Sequence, residues 1–430
     1  MATPELRKNT RFNFAVNVID AGFFGFGYLG LASLVTVIPL FLDGLGASKA
    51  LIGLAGSLHD IGWQVPQLFI APFVSRRTRY KPMLLWMTLH ERWPILMLAL
   101  VALAIPVLGP SVALAITLLL LVIYGLGGGL SAIPWQSMIG KIMPPNRMGT
   151  FFGVQSALAN LLGAAGAVVA GFLLERIDSP LDFALCFGIA GLALFLSMGT
   201  LSLTREPAHE LVAVTEDTPR TRQRMGKILR EDANFRWFLL AKAFTACAIV
   251  GVSFYSLYAV QRFNAPESVL GIMTGVLTLS QMSANLLFGW LGDRWGHRLM
   301  YVIGGLMMAA SALLAVLAPS VGWLYLVFGL AGAARAAFWA VTISFTLEFG
   351  TLEERPVYIG MANTLIAPIT LGAPIVGGSL AQAWGYPPLF IICSIAGLLT
   401  ALVLYFLVYD PRFRVHNAPE AAQAHGVIGD

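Results

Sequence analysis

Apolar residues run through this chain in long blocks rather than in alternation. Blocks separated by glycine, proline or charge fall at about 14–42, 50–74, 82–107, 111–140, 150–174 and 183–203. After a polar stretch they resume at about 236–261, 268–291, 299–318, 321–348, 357–383 and 388–409. Each is long enough for a tilted helix across ~30 Å of hydrocarbon. The strands of a membrane barrel would alternate apolar and polar positions, and these blocks do not. Without water to satisfy backbone groups, helices are the remaining way across a bilayer. The pattern predicts an all-α membrane protein of about twelve spans.

The polar stretch divides the blocks evenly. It predicts a first half over 1–203, a central linker over 204–235 and a second half over 236–430. The linker reads as a solvated connector, with room for one amphipathic turn. The halves resemble each other. The loop after span two reads PFVSRRTRYKPM (Pro72 to Met83), and the loop after span eight reads GWLGDRWGHRLM (Gly289 to Met300). Aligned without gaps, Arg77 matches Arg294, Lys81 matches Arg298 and Met83 matches Met300. Spans six and twelve share CFGIAGL (186–192) and CSIAGL (393–398). Two repeated bundles predict a site at the midplane between them.

Composition agrees with lipid as a solvent. The chain is 57% hydrophobic and 11% charged, against about 25% charged in a soluble domain. The mean hydropathy is +0.77. Cys186, Cys247 and Cys393 lie scattered in apolar stretches, which argues against a disulfide framework or a metal cluster. The formal charge of +5 needs no nucleic-acid partner, because its distribution follows the positive-inside rule. With the N-terminus in the cytoplasm, the basic residues of the linker and of alternate loops are cytoplasmic; only Lys49, Arg176 and Arg262 fall on the other side. The expectation is a multi-pass protein of a bacterial inner membrane, with both termini cytoplasmic. The basic N-terminus is followed by an apolar segment too long for a signal peptide, so it reads as a retained first span.

GWLGDRWGHR resembles the G-x-L-x-D-R-x-G-R-R signature of the major facilitator superfamily. Gly289, Leu291, Asp293, Arg294, Gly296 and Arg298 match, and His297 departs from the pattern. In the first copy Arg76 stands where the signature has Asp, and Arg79 where it has Gly. The resemblance implies two pseudo-symmetric six-helix halves around a central cavity. It also implies gating loops that here would use Asp293, Arg294, Arg298 and Arg77. Alternating access by a secondary transporter is the function it implies, for a small solute and with a proton as coupling ion, working as a monomer without cofactor or metal.

An ionisable side chain at mid-bilayer costs at least ~2.5–3.5 kcal/mol, so each one in a span is a functional candidate. Asp60 and Arg335 lie deepest. Arg335 is expected to bind an anionic group of the substrate, and Asp60 or Asp20 to carry the coupling proton. The structural alternative is an ion pair of Arg335 with Asp60 or Asp20. His90, Glu91 and Arg92 are adjacent, so they cannot share one face; Glu91 or Arg92 is expected to pair with His59 or Asp60, in a structural or proton-relay cluster that makes Glu91 a candidate for proton coupling. Lys242 lies near a span end and can snorkel. Polar and aromatic positions at helical spacing add Trp339, Tyr255, Tyr258, Gln281, Asn285, Tyr124 and Trp135 as expected cavity residues.

GFGYLG (Gly25 to Gly30) spells a dinucleotide fingerprint, but it lies inside a span and reads as helix packing, as does GLGGGL (Gly125 to Leu130). No Walker A or nucleophile-elbow sequence is present, so neither an ATP-driven pump nor an enzyme is expected. The rival readings are a receptor or assembly factor on the same fold, and an uncoupled facilitator.

Overall fold

The computed structural model describes residues 4–34, 36–48, 51–52, 59, 61–208, 221–351 and 354–411. Among them there is no strand. In the first half, α1 (Pro4–Phe24) continues as a π-helical stretch, Gly25–Leu31, and α2 (Val37–Gly44) follows. Next come α3 (Gln67–Val74), α4 (Lys81–Leu108), α5 (Pro110–Ile142), a 3-10 turn (Pro145–Arg147), α6 (Met148–Arg176) and α7 (Leu181–Ser202). A short helix, α8 (Thr221–Glu231), ends the linker region. The second half opens with α9 (Ala233–Ala248), which passes through the 3-10 stretch Ile249–Phe254 into α10 (Tyr255–Phe263). It continues with α11 (Glu267–Trp295), α12 (His297–Leu317) and α13 (Gly322–Ala336). A π turn, Ala337–Val341, leads into α14 (Thr342–Thr346), and α15 (Arg355–Thr364), α16 (Ala367–Trp384) and α17 (Tyr386–Phe406) complete the chain.

Ten of the described helical stretches are long and apolar enough to cross a membrane. Predicted spans two and eight are represented by the shorter apolar stretch Ile61–Val74 and by α11. Consecutive spans meet at tight reversals. Gly109 (φ +74°) and Gly296 (φ +104°) take conformations that only glycine adopts without strain, and a new helix starts directly after each.

The two halves use equivalent partners. In the first, α4 packs on α5 and α7; in the second, α12 packs on α13 and α17. The glycine pattern inside the spans is what lets backbones approach this closely. A Cβ at Gly127 would meet the Glu91 nitrogen at 2.6 Å, and one at Gly25 would strike the Ala159 carbonyl. Both fingerprint-like glycine runs are therefore packing surfaces of α5 and of the π stretch.

α8 is longer than the single amphipathic turn expected there. Ile228 is buried, and Met225 and Leu229 pack on the core of the second half with Phe235, Tyr358 and Val408. Its basic residues occupy the other face, so the end of the linker is an amphipathic helix docked on the second half.

Candidate functional site

The halves meet most tightly at the end where Arg77, Lys141, Arg147, Arg205, Arg294 and Arg355 lie; we call it the basic end. There α6 runs against α11, and α3 against α15. A Cβ at Gly153 would strike the carbonyl of Asn285 across this contact, and one at Gly149 the carbonyl of Gly289. Asn363 Nδ2 donates to Gln67 Oε1 (2.7 Å), and Thr364 Oγ1 to the Gln64 carbonyl (3.0 Å). Gln64 and Gln67, which share a helical stripe in the sequence, thus join the first half to the second. Lys242 does not snorkel to water: its Nζ donates to Asn363 Oδ1 (3.1 Å), which extends the same network. Gly153→Leu is expected to pry α6 from α11 and lower stability by about 1–3 kcal/mol, as overpacking does. Thermal unfolding in detergent checks this, with Gly171→Leu as the control, because a Cβ there meets nothing within 4 Å.

Asp293 joins the two halves at the basic end. Its Oδ1 accepts from the Gly149 amide (2.7 Å) and its Oδ2 from the Thr150 amide (2.7 Å). These are the first amides of α6, so a carboxylate on one half caps a helix of the other, where the helix dipole also favours it. His297, fully buried, lies between two acids: Nε2 is 3.5 Å from Asp293 Oδ1, and Nδ1 is 2.5 Å from Glu348 Oε1. The departure from the signature therefore puts a small ring where a long arginine would stand, and it links the ends of α11 and α14. The other gating candidates have different partners. Arg298 donates to the carbonyls of Leu404 (2.9 Å) and Tyr405 in its own half. Arg294 is exposed and lies over the Trp290 ring (4.0 Å). Arg77 is exposed on its loop.

The first half lacks the signature acid but has a different one. Glu206, from the start of the linker, accepts from the Tyr80 and Lys81 amides (2.8 Å each) and from Lys141 Nζ (2.9 Å). It caps α4 in its own half instead of reaching across. A carboxylate in a stretch that reads as solvated linker gave no signal for this role. Both partners are buried, so Glu206→Ala is expected to cost about 3 kcal/mol, read as a lower unfolding temperature.

Nearer the middle, the Trp63 and Trp339 rings approach across the halves at 5.9 Å. Trp339 is 52% exposed, so its face of the span looks into the space between the halves. Arg335 lies one turn earlier, where α13 enters the π turn. It is partly buried, and among the described residues it has neither an ion-pair nor a hydrogen-bond partner. On the facing side, one turn before Trp63, His59 stacks on Tyr124 (5.2 Å) and lies 5.4 Å from the Tyr28 ring. Tyr28 sits in the other π stretch. Such turns occur mostly at functional sites, because the extra residue re-aims side chains. Tyr28 and Trp63 escaped the sequence reading, since an aromatic in a span carries no mark of the face it occupies; His59 entered it as a partner for Glu91 or Arg92.

Asp60 lies outside the described residues. Asp20 does not approach Arg335. It is buried inside the first half, where Ser197 Oγ donates to its Oδ1 at 2.5 Å. Arg92 Nη2 also reaches Ser197 Oγ (3.4 Å), Arg92 Nη1 is 3.7 Å from Glu91 Oε1, and Ser131 Oγ donates to Glu91 Oε2 (3.1 Å). Glu91 and Arg92 thus join Asp20 rather than His59, in a buried set of two acids and one base. His90 turns away, to the Trp86 carbonyl.

The remaining expected cavity residues are placed differently. Tyr255 and Tyr258 are buried in the second half's own core against Phe390, and Tyr255 receives a hydrogen bond from Ser311 (3.1 Å). Tyr124 is fully buried behind His59. Trp135 packs on Phe152 in the first half. Asn285 is buried at the α6–α11 contact, with neither side-chain polar atom bonded. Gln281, one turn earlier on α11, is partly exposed.

Comparison with known proteins gives a consistent result. A sequence profile described as Major Facilitator Superfamily matches residues 21–264 and 251–429. Sugar efflux transporter A of Dickeya chrysanthemi is 28% identical over 273 residues, 60% of this chain and 63% of that protein. Multidrug resistance protein 1 of Bacillus subtilis (strain 168) is 25% identical over 159 residues, 37% of this chain and 41% of that protein. The chain thus aligns with less than two thirds of the length of these relatives. Among solved structures, a bacterial homologue of the iron transporter ferroportin in an outward-facing state superposes with a TM-score of 0.73 at 15% identity. That match covers 92% of this chain and 98% of the other. FucP in an outward conformation gives 0.72 at 14% identity, covering 92% and 100%. Paired halves, a signature loop whose acid caps a helix of the opposite half, and a profile match along nearly the whole length lead to one assignment: the chain belongs to the major facilitator superfamily.

Proposed function

We propose that the chain is a secondary transporter that carries a small anionic, ring-bearing solute between its halves by alternating access, coupled to protons. Arg335 is the observation that carries this reading. A guanidinium in a span is costly, and one without a protein partner among the described residues is suited to a ligand anion. Trp63, Trp339 and His59 supply flat apolar surface for the rest of the solute. Relatives described as sugar efflux and multidrug resistance proteins support transport. The fold shared with a structure described as a fucose:proton symporter supports proton coupling. The set of Asp20, Glu91 and Arg92 holds two acids to one base, so it can gain a proton and become neutral; Asp60 is a second carrier. With the basic loops in the cytoplasm, the closed basic end faces the cytoplasm of a bacterial cell, and the solute enters from outside.

A thermal-shift screen of purified protein against a panel of organic anions, neutral sugars and cations tests the reading. A ligand at 100 times its dissociation constant adds ~2.7 kcal/mol to the folded state. Stabilisation by ring-bearing anions, lost in Arg335→Ala, is the expected result. Hits confined to neutral sugars, retained in Arg335→Ala, would overturn the anion assignment. Asp20→Asn is expected to keep solute binding and to abolish solute-driven proton movement in vesicles. Proton movement at the unaltered rate would remove Asp20 from the coupling path.

A further inference from the structure

Beside the gate, the basic end carries a groove of about 670 Å³ shared by both halves. Arg11 and Arg147 reach it from the first half, and Arg294 and Trp290 from the second. Its volume falls in the range of small-ligand sites, roughly 300–1,000 Å³. The gate contact of Asp293 with α6 forms its floor.

Closing this end therefore brings three like charges together. All three arginines are exposed. None has a carboxylate or carbonyl partner among the described residues, whereas Lys81, Lys141, Arg298 and Arg355 donate to carbonyl or carboxylate oxygens. The one acid in the lining, Asp293, has both oxygens engaged by the Gly149 and Thr150 amides. Arg294 lies over the Trp290 ring at 4.0 Å, which holds its guanidinium at the groove wall. Phe14 and Met143 complete an apolar side. The result is a cationic, donor-rich pocket with apolar flanks, at the ends of the apolar spans. Arginine forks match phosphate oxygens in pairs, and basic pockets between membrane helices suit anionic headgroups.

We propose that this groove binds the phosphate of an anionic phospholipid headgroup, and that the bound headgroup stabilises the closed basic end. The lipid is the favoured source of phosphate because the lining lies where the apolar blocks of the sequence end, and Phe14, Met143 and Trp290 offer surface to the glycerol and first methylenes. Since the site needs arginines from both halves, it exists in full only when they meet. A ligand that binds one state better shifts the equilibrium toward that state.

The test uses the full chain with Cys186→Ala, Cys247→Ala and Cys393→Ala, spin-labelled at Thr78→Cys and Thr351→Cys, one exposed loop position on each half at the basic end. Distances are measured by pulsed electron resonance in vesicles of phosphatidylcholine, alone or mixed with phosphatidylglycerol. Phosphatidylglycerol is expected to raise the closed-to-open ratio by about five-fold or more. Arg11→Gln with Arg147→Gln should remove that response while leaving the fold and the distances in pure phosphatidylcholine intact. A ratio indifferent to phosphatidylglycerol, or a response unchanged in the double variant, would overturn the proposal. So would an equal response to inorganic phosphate in pure phosphatidylcholine, which would make the site one for free phosphate.

Discussion

Asp293→Ala is expected to open the basic end. The carboxylate accepts two amide hydrogen bonds from α6 and faces His297, so its removal leaves the first amides of α6 uncapped. Hydrogen bonds to a charged group contribute about 1.5–3 kcal/mol each. Loss of the pair should shift the closed-to-open ratio by about a hundredfold or more. The distance between labels at Thr78→Cys and Thr351→Cys reads this directly, as a second, longer population. Asp293→Asn is the graded control: an amide oxygen still accepts, but without charge, so its shift should be smaller. An unchanged distance distribution in Asp293→Ala would mean that the glycine contacts of α6 and α11 close this end unaided, and that the acid of the signature is dispensable here.

Arg335→Ala is expected to have the second large effect. It removes a charge-assisted anchor for the solute, worth about 1.5–3 kcal/mol, which corresponds to roughly 10–100-fold in affinity. Arg335→Lys keeps the charge but loses the planar fork, and should recover only part of the affinity for a carboxylate or phosphate. Titration calorimetry on a hit from the anion panel separates the two. Because no protein acid faces Arg335 among the described residues, the alanine variant leaves no buried anion behind, and its unfolding temperature without ligand should stay near that of the unaltered protein.

The fold was legible because it is written in block lengths. Lipid requires about 20 apolar residues per helix, and the repeated loops around Arg77 and Arg294 marked the two halves. The signature acid was equally legible, since Asp293 stands in a motif of fixed spacing. The site was legible only in part. Arg335 stood out because charge in a span is rare. Tyr255 and Tyr258 stood out for the same reason of polarity, yet they face Phe390 and the interior of their own bundle. In a soluble helix the polar face points to water; in a membrane helix it can point to a cavity or to another helix, and the sequence does not distinguish them. Trp63 shows the converse. It is an ordinary aromatic in its span, and only the packing of the halves sets its ring, tilted, beside that of Trp339, which shares a helical face with Arg335 in the sequence. Glu206 was hidden in another way: its span-end partners, Tyr80 and Lys141, are far away in sequence.

The buried set of Asp20, Glu91 and Arg92 also changes how coupling would work. The structural alternative read from the sequence paired Asp20 or Asp60 with Arg335 across the halves. Instead Asp20 shares Ser197 with Arg92 inside the first half. Proton uptake there would act on the packing of α1, α4 and α7, and would reach the solute through α1, whose π stretch carries Tyr28.

Flux in proteoliposomes shows whether an anion crosses between the halves. A radiolabelled hit from the anion panel is placed outside vesicles holding either the unaltered protein or Arg335→Ala, with and without an imposed proton gradient. Saturable uptake that responds to the gradient and is lost in Arg335→Ala is the expected result. Binding without any uptake by the unaltered protein would contradict it, and would make the chain a receptor built on a transporter fold.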